Sequence, residues 1–367
     1  MKTLIVGNGS IGVSNENNTA YITKNTGKFL KRLKTKFDIH FLDFQSKYDN
    51  NNNILNFDLN SNEISHAVFG NKRNPLSYFK LIYLISRVDY IYLFYPATLS
   101  RMVGMMAVIL NKPFGLYIRG QYYNQNKTDR YILKRTKFIL TISPSFAQDM
   151  YKFCRRVEVI KPMIDIDLRD FKRNRAYSLP EKWNLLFVGR VEERKGIYEL
   201  IEIAEDLKAN SIDFTLNIVG GGDLFVEVNK KIINSNLQEE IIVHGLISDK
   251  NQLKELYDKA HAFVFTSHDE GFPRVLYEAM ASGLPIFTTF VGGISGRMKH
   301  LENCIEIPVK NANGAGAIIS DYLTDEKMLE EIGRNGQKTL EKIIDGSLLT
   351  HEDLLVRNIN TAEDMKL

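Results

Sequence analysis

The stretch Glu270-Gly-Phe-Pro-Arg-Val-Leu-Tyr-Glu278, running on into Ala279-Met-Ala-Ser-Gly-Leu-Pro285, decides how the chain folds. It reads as a buried strand feeding a helix start. Ala262 to Phe265 is a short apolar run, Thr266 to Glu270 is polar, and Gly271 with Pro273 shapes the turn. Proline suits the first turn of a helix, where its missing N–H is not needed. The spacing predicts a helix from Arg274, stopped by Gly283 and Pro285, with Ile286 to Thr288 as the next strand. Glu270 then sits on the loop before the helix and Glu278 a little over one turn beyond Arg274. Between them lies a helix N-terminus, whose free N–H groups and positive dipole end favour an anion. A polyhydroxylated ligand bearing a phosphate suits this site, its hydroxyls donating to the carboxylates and its phosphate meeting the helix end.

Two glutamates with seven residues between them, written EGFPRVLYEAMASGLP, resemble the donor-site signature of family 4 glycosyltransferases. Phe187-Val-Gly-Arg190 followed by Glu193-Arg-Lys-Gly196 resembles that family's phosphate-binding pair. Ile218-Val-Gly-Gly-Gly222 resembles its second-strand glycine turn, Val243-His-Gly-Leu-Ile247 its base-binding strand end, and Val291-Gly-Gly-Ile294 follows in place. The ordered set covers about residues 184–345. An ordinary strand-to-helix unit with two solvated glutamates accounts for one such motif, but not for five in order.

The resemblance implies an α/β chain with the GT-B fold, two Rossmann-like doubly wound domains facing across a cleft. It implies retaining transfer of a sugar from a nucleotide-sugar, which needs leaving-group stabilisation more than a strong base. Glu270, Arg190 and Lys195 are the catalytic candidates. Arg190 and Lys195 would reach one pyrophosphate, and their bland alternative is a surface pair beside Glu192 and Glu193. Gly220, Gly221 and Leu246 would line the donor. Glu270, helped by the N–H groups of Gly271 and Phe272, would hold sugar hydroxyls beside Pro273, which has no N–H. Glu278 would bind the ribose. Phe272-Pro273 resembles users of UDP-sugars more than of GDP-sugars. No Asp-x-Asp metal signature stands near, so neither metal nor cofactor is expected.

At 367 residues the chain favours two domains, and 44% hydrophobic residues suffice for packed cores. Cys154 and Cys304 give neither a disulfide framework nor metal-ligand spacing, so a reducing, cytoplasmic setting is expected. Leu4 to Val6 meets Gly7 at once, so no secretory leader is expected, and the longest apolar run, Val103 to Leu110, is too short to span a bilayer. The net charge of +4 hides a split. Residues 1–160 hold 23 Lys plus Arg against 10 Asp plus Glu, whereas residues 161–367 hold 25 against 34. The first half therefore reads +13 and the second −9, which suggests that the first meets something anionic. No nucleic-acid partner is expected.

Thr3 to Val6 reads as the first strand. Gly7-Asn-Gly-Ser-Ile-Gly12 after it is a formal GxGxxG, but the polar run that follows opens no helix, and Asp43 lies 31 residues beyond Gly12. The dinucleotide-dependent oxidoreductase reading is set aside on both grounds. Asn17-Asn18 stands where the resembled family carries a paired glycine, so that role is not transferred. Residues 19–36 read as one helix with Phe29, Leu30, Leu33 and Phe37 on one side and Lys28, Lys31, Arg32, Lys34 and Lys36 around the rest. That face is either solvated or in reversible contact with an anionic membrane. Asp49 to Asn53 reads as a polar loop. Arg119, after the strand Phe114 to Ile118, stands where relatives often have histidine. It stays protonated and cannot be a base, but it can bind phosphate on the acceptor side.

Domain limits are read as 1–161 for the first domain, with a C-terminal helix at about 348–367 crossing back to it. Residues 162–180 read as a linker and 181–347 as the nucleotide-sugar domain. The expected function is transfer from a nucleotide-sugar to a glycan or lipid-linked acceptor in surface polysaccharide synthesis, in the cytoplasm or at the inner membrane face. The rivals are a catalytically silent nucleotide- or glycan-binding module and a GT-B epimerase or phosphorylase. No lysine is marked as a pyridoxal carrier.

Overall fold

The computed structural model describes the chain except residues 15–18, 49–54, 71–74, 121–125, 163, 165, 167, 173–174, 347 and 365–367. It divides into two units, Met1–Ile160 with Leu349–Leu367, and Lys161–Leu348. The expected Asn17-Asn18 position and the Asp49–Asn53 loop fall outside the described residues.

The first unit is built on β1 (Lys2–Val6), β2 (Ile11–Val13), β3 (Ala20–Thr23), β4 (Asp38–Lys47), β5 (Leu55–Asp58), β6 (Ser65–Phe69), β7 (Tyr90–Tyr95), β8 (Phe114–Ile118), β9 (Ile139–Thr141) and β10 (Val157–Val159). Its parallel part runs β10-β9-β8-β7-β1-β4-β6, with β1 at the point where chain order reverses. β7 and β8 are buried at every position, as strands covered on both faces must be. Helices α1 (Lys24–Lys34), α2 (Pro75–Ser86), α3 (Thr98–Ile109), α4 (Lys127–Leu133) and α5 (Pro144–Met150) connect them. α2 to α5 pack on one sheet face in a cluster with Leu81, Ile85, Leu99, Val103 and Ile132. α1 packs on the other face through Phe29, Leu30 and Leu33.

Residues 19–36 are not one helix. Ala20 to Thr23 form β3, paired antiparallel with β2 and β5, and the helix starts only at Lys24. Ala20 and Ile22 point inward while Tyr21 stacks on Tyr48, a period of two that the β-branched Ile22 and Thr23 favour. The Gly7–Gly12 stretch runs into β2, not into a helix. Gly9 N–H donates to the Oδ2 of the buried Asp43 at 3.0 Å, so this backbone donor is already taken by a carboxyl. Burial raises that carboxyl to about 6, against the two backbone N–H groups that bind it.

The second unit has β11 (Trp183–Val188), β12 (Phe214–Val219), β13 (Ile241–Gly245), β14 (Ala262–Phe265), β15 (Ile286–Thr288) and β16 (Ile305–Glu306), all parallel, in the order β13-β12-β11-β14-β15-β16. Helices α6 (Ile197–Ala209), α7 (Phe225–Asn234), α8 (Lys250–Lys259), α9 (Arg274–Ala281), α10 (Ala312–Tyr322) and α11 (Glu326–Ile344) complete it. The order reverses between β11 and β14. In such sheets ligands bind beyond the strand C-termini at that reversal.

Residues 162–180, expected as a linker, group with this second unit. Phe171 is buried, and Tyr177 donates to the Gly283 carbonyl at 2.9 Å. The buried Arg175 guanidinium donates to the carbonyls of Tyr257, Ala260 and Ser282 at the ends of α8 and α9. These bonds satisfy carbonyls that the helix ends leave without partners, which holds a polar segment in place.

The last helix, α12 (His351–Asp364), belongs to the first unit, where Leu354, Leu355 and Ile359 join the α1 side of the core. His351 is 2% exposed and shares a 2.7 Å hydrogen bond with the Tyr92 hydroxyl. Its ring lies against Phe29 and Tyr117, and burial, with a smaller effect of the Arg119 charge, lowers its pKa to about 3. The unfolded chain takes up this proton near pH 6.5 and the native chain does not, so stability is lost as pH falls below about 6.5. Asp43 works in the opposite direction, because the native state protonates it first. His351→Asn is therefore expected to remove an acid-side loss of about 2 kcal/mol between pH 7 and pH 5, read from denaturant unfolding of both proteins at the two pH values.

Candidate functional site

Three loops beyond the strand ends of the second unit are stitched together. After β11 the chain makes a short turn at Glu193–Lys195, and after β14 it runs through Thr266 to Glu270. Thr266 Oγ1 donates to the carbonyls of Lys195 and Gly196 at 3.0 and 2.8 Å, and Ser267 Oγ to that of Arg194 at 3.1 Å. The N–H of His268 also donates to the Arg194 carbonyl, while its ring meets Glu199 Oε1 at 2.8 Å. Behind them, Thr289 Oγ1 donates to the Ser267 carbonyl at 2.6 Å, and Gly293 N–H to that of Glu270 at 3.2 Å.

This stitching places Lys195 Nζ on the carboxylate of Glu270, which also accepts from Ser267 Oγ at 2.8 Å. The pair is largely enclosed, with side chains 16% and 10% exposed. Arg190 differs: it is 65% exposed and ion-pairs with Glu192 at 3.1 Å. The two cations expected to share one pyrophosphate are therefore held by different carboxylates. Gly220 closes β12 with φ +142° against the Gly189 carbonyl, where a Cβ would stand 1.8 Å from the oxygen. A side chain there would push the β11 and β12 ends apart, so bare backbone lines this part of the site. Gly221 follows it, and Leu246, just past β13, is 79% exposed.

Pro273 stands at the N-cap of α9, so the expected helix start is found at Arg274. Gly271, Phe272 and Pro273 are half-buried, and the Phe272 ring lies 4.6 Å from that of Tyr277. Glu278, inside α9, accepts a 2.9 Å hydrogen bond from the Tyr257 hydroxyl. Burial first, and the Glu278 carboxylate second, raise the Tyr257 pKa far above the ordinary tyrosine range, so this hydroxyl stays a donor. Tyr257→Phe is expected to leave Glu278 less fixed and to raise the Kd for a nucleoside diphosphate about fivefold, the worth of one hydrogen bond of about 1 kcal/mol, measured by calorimetry.

Arg119 belongs to the first unit. Its Nη2 donates to Asn8 Oδ1 at 2.7 Å, and its guanidinium carbon lies 6.0 and 5.9 Å from the ring centres of Phe94 and Tyr117. Sequence reasoning missed Ser267, Tyr257 and the His268–Glu199 pair. Ser267 had a weak signal, as a polar residue two positions past the end of an apolar strand. Tyr257 had none, since it sits in the preceding helix. No described helix is long and apolar enough to cross a membrane. Among the described residues, no group of three or more His, Cys, Asp or Glu is placed to hold a metal ion.

Residues 169–339 match the family described as Glycosyl transferases group 1. A capsular polysaccharide biosynthesis glycosyltransferase, CapM of Staphylococcus aureus, is 26% identical over 166 residues, 45% of this chain and 43% of that one. A putative colanic acid biosynthesis glycosyltransferase, WcaL of Escherichia coli, is 25% identical over 235 residues, 61% and 57% of the two chains. The chain spans about half the length of the curated relatives it matches. Among solved structures, Anabaena HepE in complex with UDP and glucose superposes with a TM-score of 0.65 at 16% identity, over 100% of this chain and 99% of that one. The lipopolysaccharide outer core galactosyltransferase WaaB gives 0.67 at 17% identity, over 100% of both. These likenesses show the fold, and the GT-B class expected from the sequence is the one found.

Proposed function

We propose a function on one premise, that residues 169–339 of this chain belong to the glycosyl transferases group 1 family. The chain transfers a sugar, with retention at the anomeric carbon, from a nucleotide-sugar to a glycan or lipid-linked acceptor. The observation that carries this reading is the enclosed Lys195–Glu270–Ser267 cluster at the strand-order reversal, between a glycine turn and a helix N-terminus. In this reading the diphosphate lies over Gly220 and Gly221, the ribose hydroxyls donate to Glu278, and the sugar hydroxyls donate to Glu270. Lys195, beside that carboxylate, and Arg190, once it turns from Glu192, meet the charge that grows on the departing phosphate. The acceptor hydroxyl attacks the anomeric carbon from the side the diphosphate leaves. The glycosidic carbon–oxygen bond to phosphate breaks, the new one forms, and the hydroxyl proton passes to the phosphate oxygen. No strong base and no metal are needed. Arg119, on the first unit, is the candidate contact to the acceptor.

UDP is favoured over GDP, a choice supported by Phe272-Pro273 and by the UDP in the HepE complexes. A surface polysaccharide as product is supported by the names CapM and WcaL. The free, buried Cys154 and Cys304 suit a reducing, cytoplasmic setting. The test measures nucleoside-diphosphate release from a panel of UDP-, GDP- and ADP-sugars, with and without EDTA. Release from a UDP-sugar that EDTA leaves unchanged is the expected result. UDP binding without any turnover would point to a silent binding module, and release only from GDP- or ADP-sugars would overturn the choice of nucleotide.

A further inference from the structure

Helix α2 turns an apolar face to solvent. Leu76 is 64% exposed, Phe79 68%, Ile82 40% and Tyr83 61%. These four fall within about 120° of the helix circumference, away from Leu81 and Ile85, which are buried against the sheet. The end of α3 extends the face with Ile109, 76% exposed. Lys112 fixes that end beside α2 by donating to the carbonyls of Ser86 and Val88 at 2.9 and 2.8 Å.

The segment that carries this face is cationic. Residues 75–137 hold ten Lys plus Arg and only two acids, Asp89 and Asp129. Asp129 is fully buried and ion-paired with Arg101 at 2.8 Å, so it offers no surface charge. Lys80, Arg87, Arg130, Lys134 and Arg135 are exposed on or beside α2 and α4. The basic face of α1 is less available: Arg32 pairs with Glu352 at 3.1 Å and Lys34 with Glu63 at 3.0 Å. α1 also covers the opposite side of the sheet. One plane cannot lie against both sides of one sheet.

We propose that the first unit docks on an anionic lipid bilayer through α2. Leu76, Phe79, Ile82 and Tyr83 enter the boundary between headgroups and acyl chains, and Lys80 on the same helix and Arg87, whose guanidinium lies 5.2 Å from the Tyr83 ring centre, meet the lipid charge. A second copy of the chain is the poorer occupant, because a two-fold contact would set one cationic rim against another. The contact differs from purely electrostatic attachment in that part of it survives high salt. It does not depend on the sugar-transfer reading, and nucleoside-diphosphate release measured on the same preparations reads the two separately.

The experiment uses the full chain with phosphatidylcholine vesicles, with and without phosphatidylglycerol. A Phe79→Trp variant is expected to shift its emission to the blue and to lose acrylamide quenching on the anionic vesicles only, over the constant signal of the buried Trp183. Leu76→Ser with Phe79→Ser, both at exposed positions, is expected to lower vesicle binding at least about tenfold with an unchanged circular dichroism spectrum. Lys28→Gln with Lys31→Gln is expected to bind as the wild type. No emission shift on any vesicle overturns the proposal. So does a dimer in light scattering that Phe79→Ser dissolves, which would give the face to a second copy. Release by the α1 variant with full binding by the α2 variant would overturn it in favour of α1.

Discussion

Glu270→Gln is expected to lower kcat for sugar transfer by about 10²–10³-fold, the usual effect of removing one preorganised charge at the reacting centre. The Kd for UDP should change by less than about threefold, since ground-state binding of the nucleotide uses other groups. Glutamine has the same shape and can still accept from Ser267 Oγ, so the loop should keep its course. It cannot neutralise Lys195, whose ammonium now sits on the carboxylate. A structural role for Glu270 would show as lost thermal stability with kcat retained. Steady-state kinetics with the donor that wild type uses fastest, alongside a thermal melt, distinguishes the two. The contrast with Arg190 is informative, because that side chain is mostly exposed and its salt bridge to Glu192 is a surface one. Arg190→Ala should therefore leave the fold untouched, and its effect on kcat reads its role on phosphate alone.

Gly292→Ala is expected to reduce transfer by about 10²-fold, although no side chain of the site is altered. Gly292 has φ +57°, and a Cβ there would stand 1.8 Å from the Glu270 carbonyl oxygen and 2.9 Å from its carbon. Those neighbours are backbone, not the end of a flexible side chain, so the loop carrying Glu270 must move. The strain costs about 1–3 kcal/mol, which should appear as a lower thermal midpoint. Displacing Glu270 also separates it from Lys195 and Ser267, and catalytic positions tolerate little displacement. UDP binding is expected to be less affected, because Glu278 is held from the other side by Tyr257. Wild-type kinetics in Gly292→Ala would show that the loop adapts and that Glu270 need not be fixed so closely.

How much of this was legible before the structure depended on where each partner lies. The second unit's strands are short and mostly apolar, and Ala262–Phe265 and Ile286–Thr288 were placed to the residue. The strand Ala20–Thr23 was missed because it is only four residues long, one of its two partners lies as far off as Leu55–Asp58, and the helical pattern of Phe29, Leu30 and Leu33 begins just after it. Residues 162–180 look loose because they are polar, yet Arg175 is buried by backbone carbonyls, which carry no sequence signal. The site residues stood out one by one. The pairing of Lys195 with Glu270, 75 positions apart, and the anchoring of Glu278 by Tyr257 became visible only once the sheet brought their loops together.

The central claim is that the strand ends of the second unit bind a nucleoside diphosphate with Glu278 on the ribose. Calorimetric titration of UDP into the wild type, Glu278→Ala and Arg119→Ala tests it most directly. One saturable site per chain is expected, weakened about tenfold in Glu278→Ala by the loss of hydrogen bonds to a charged acceptor and unchanged in Arg119→Ala. No binding of UDP to the wild type, or an equal Kd in wild type and Glu278→Ala, would contradict it.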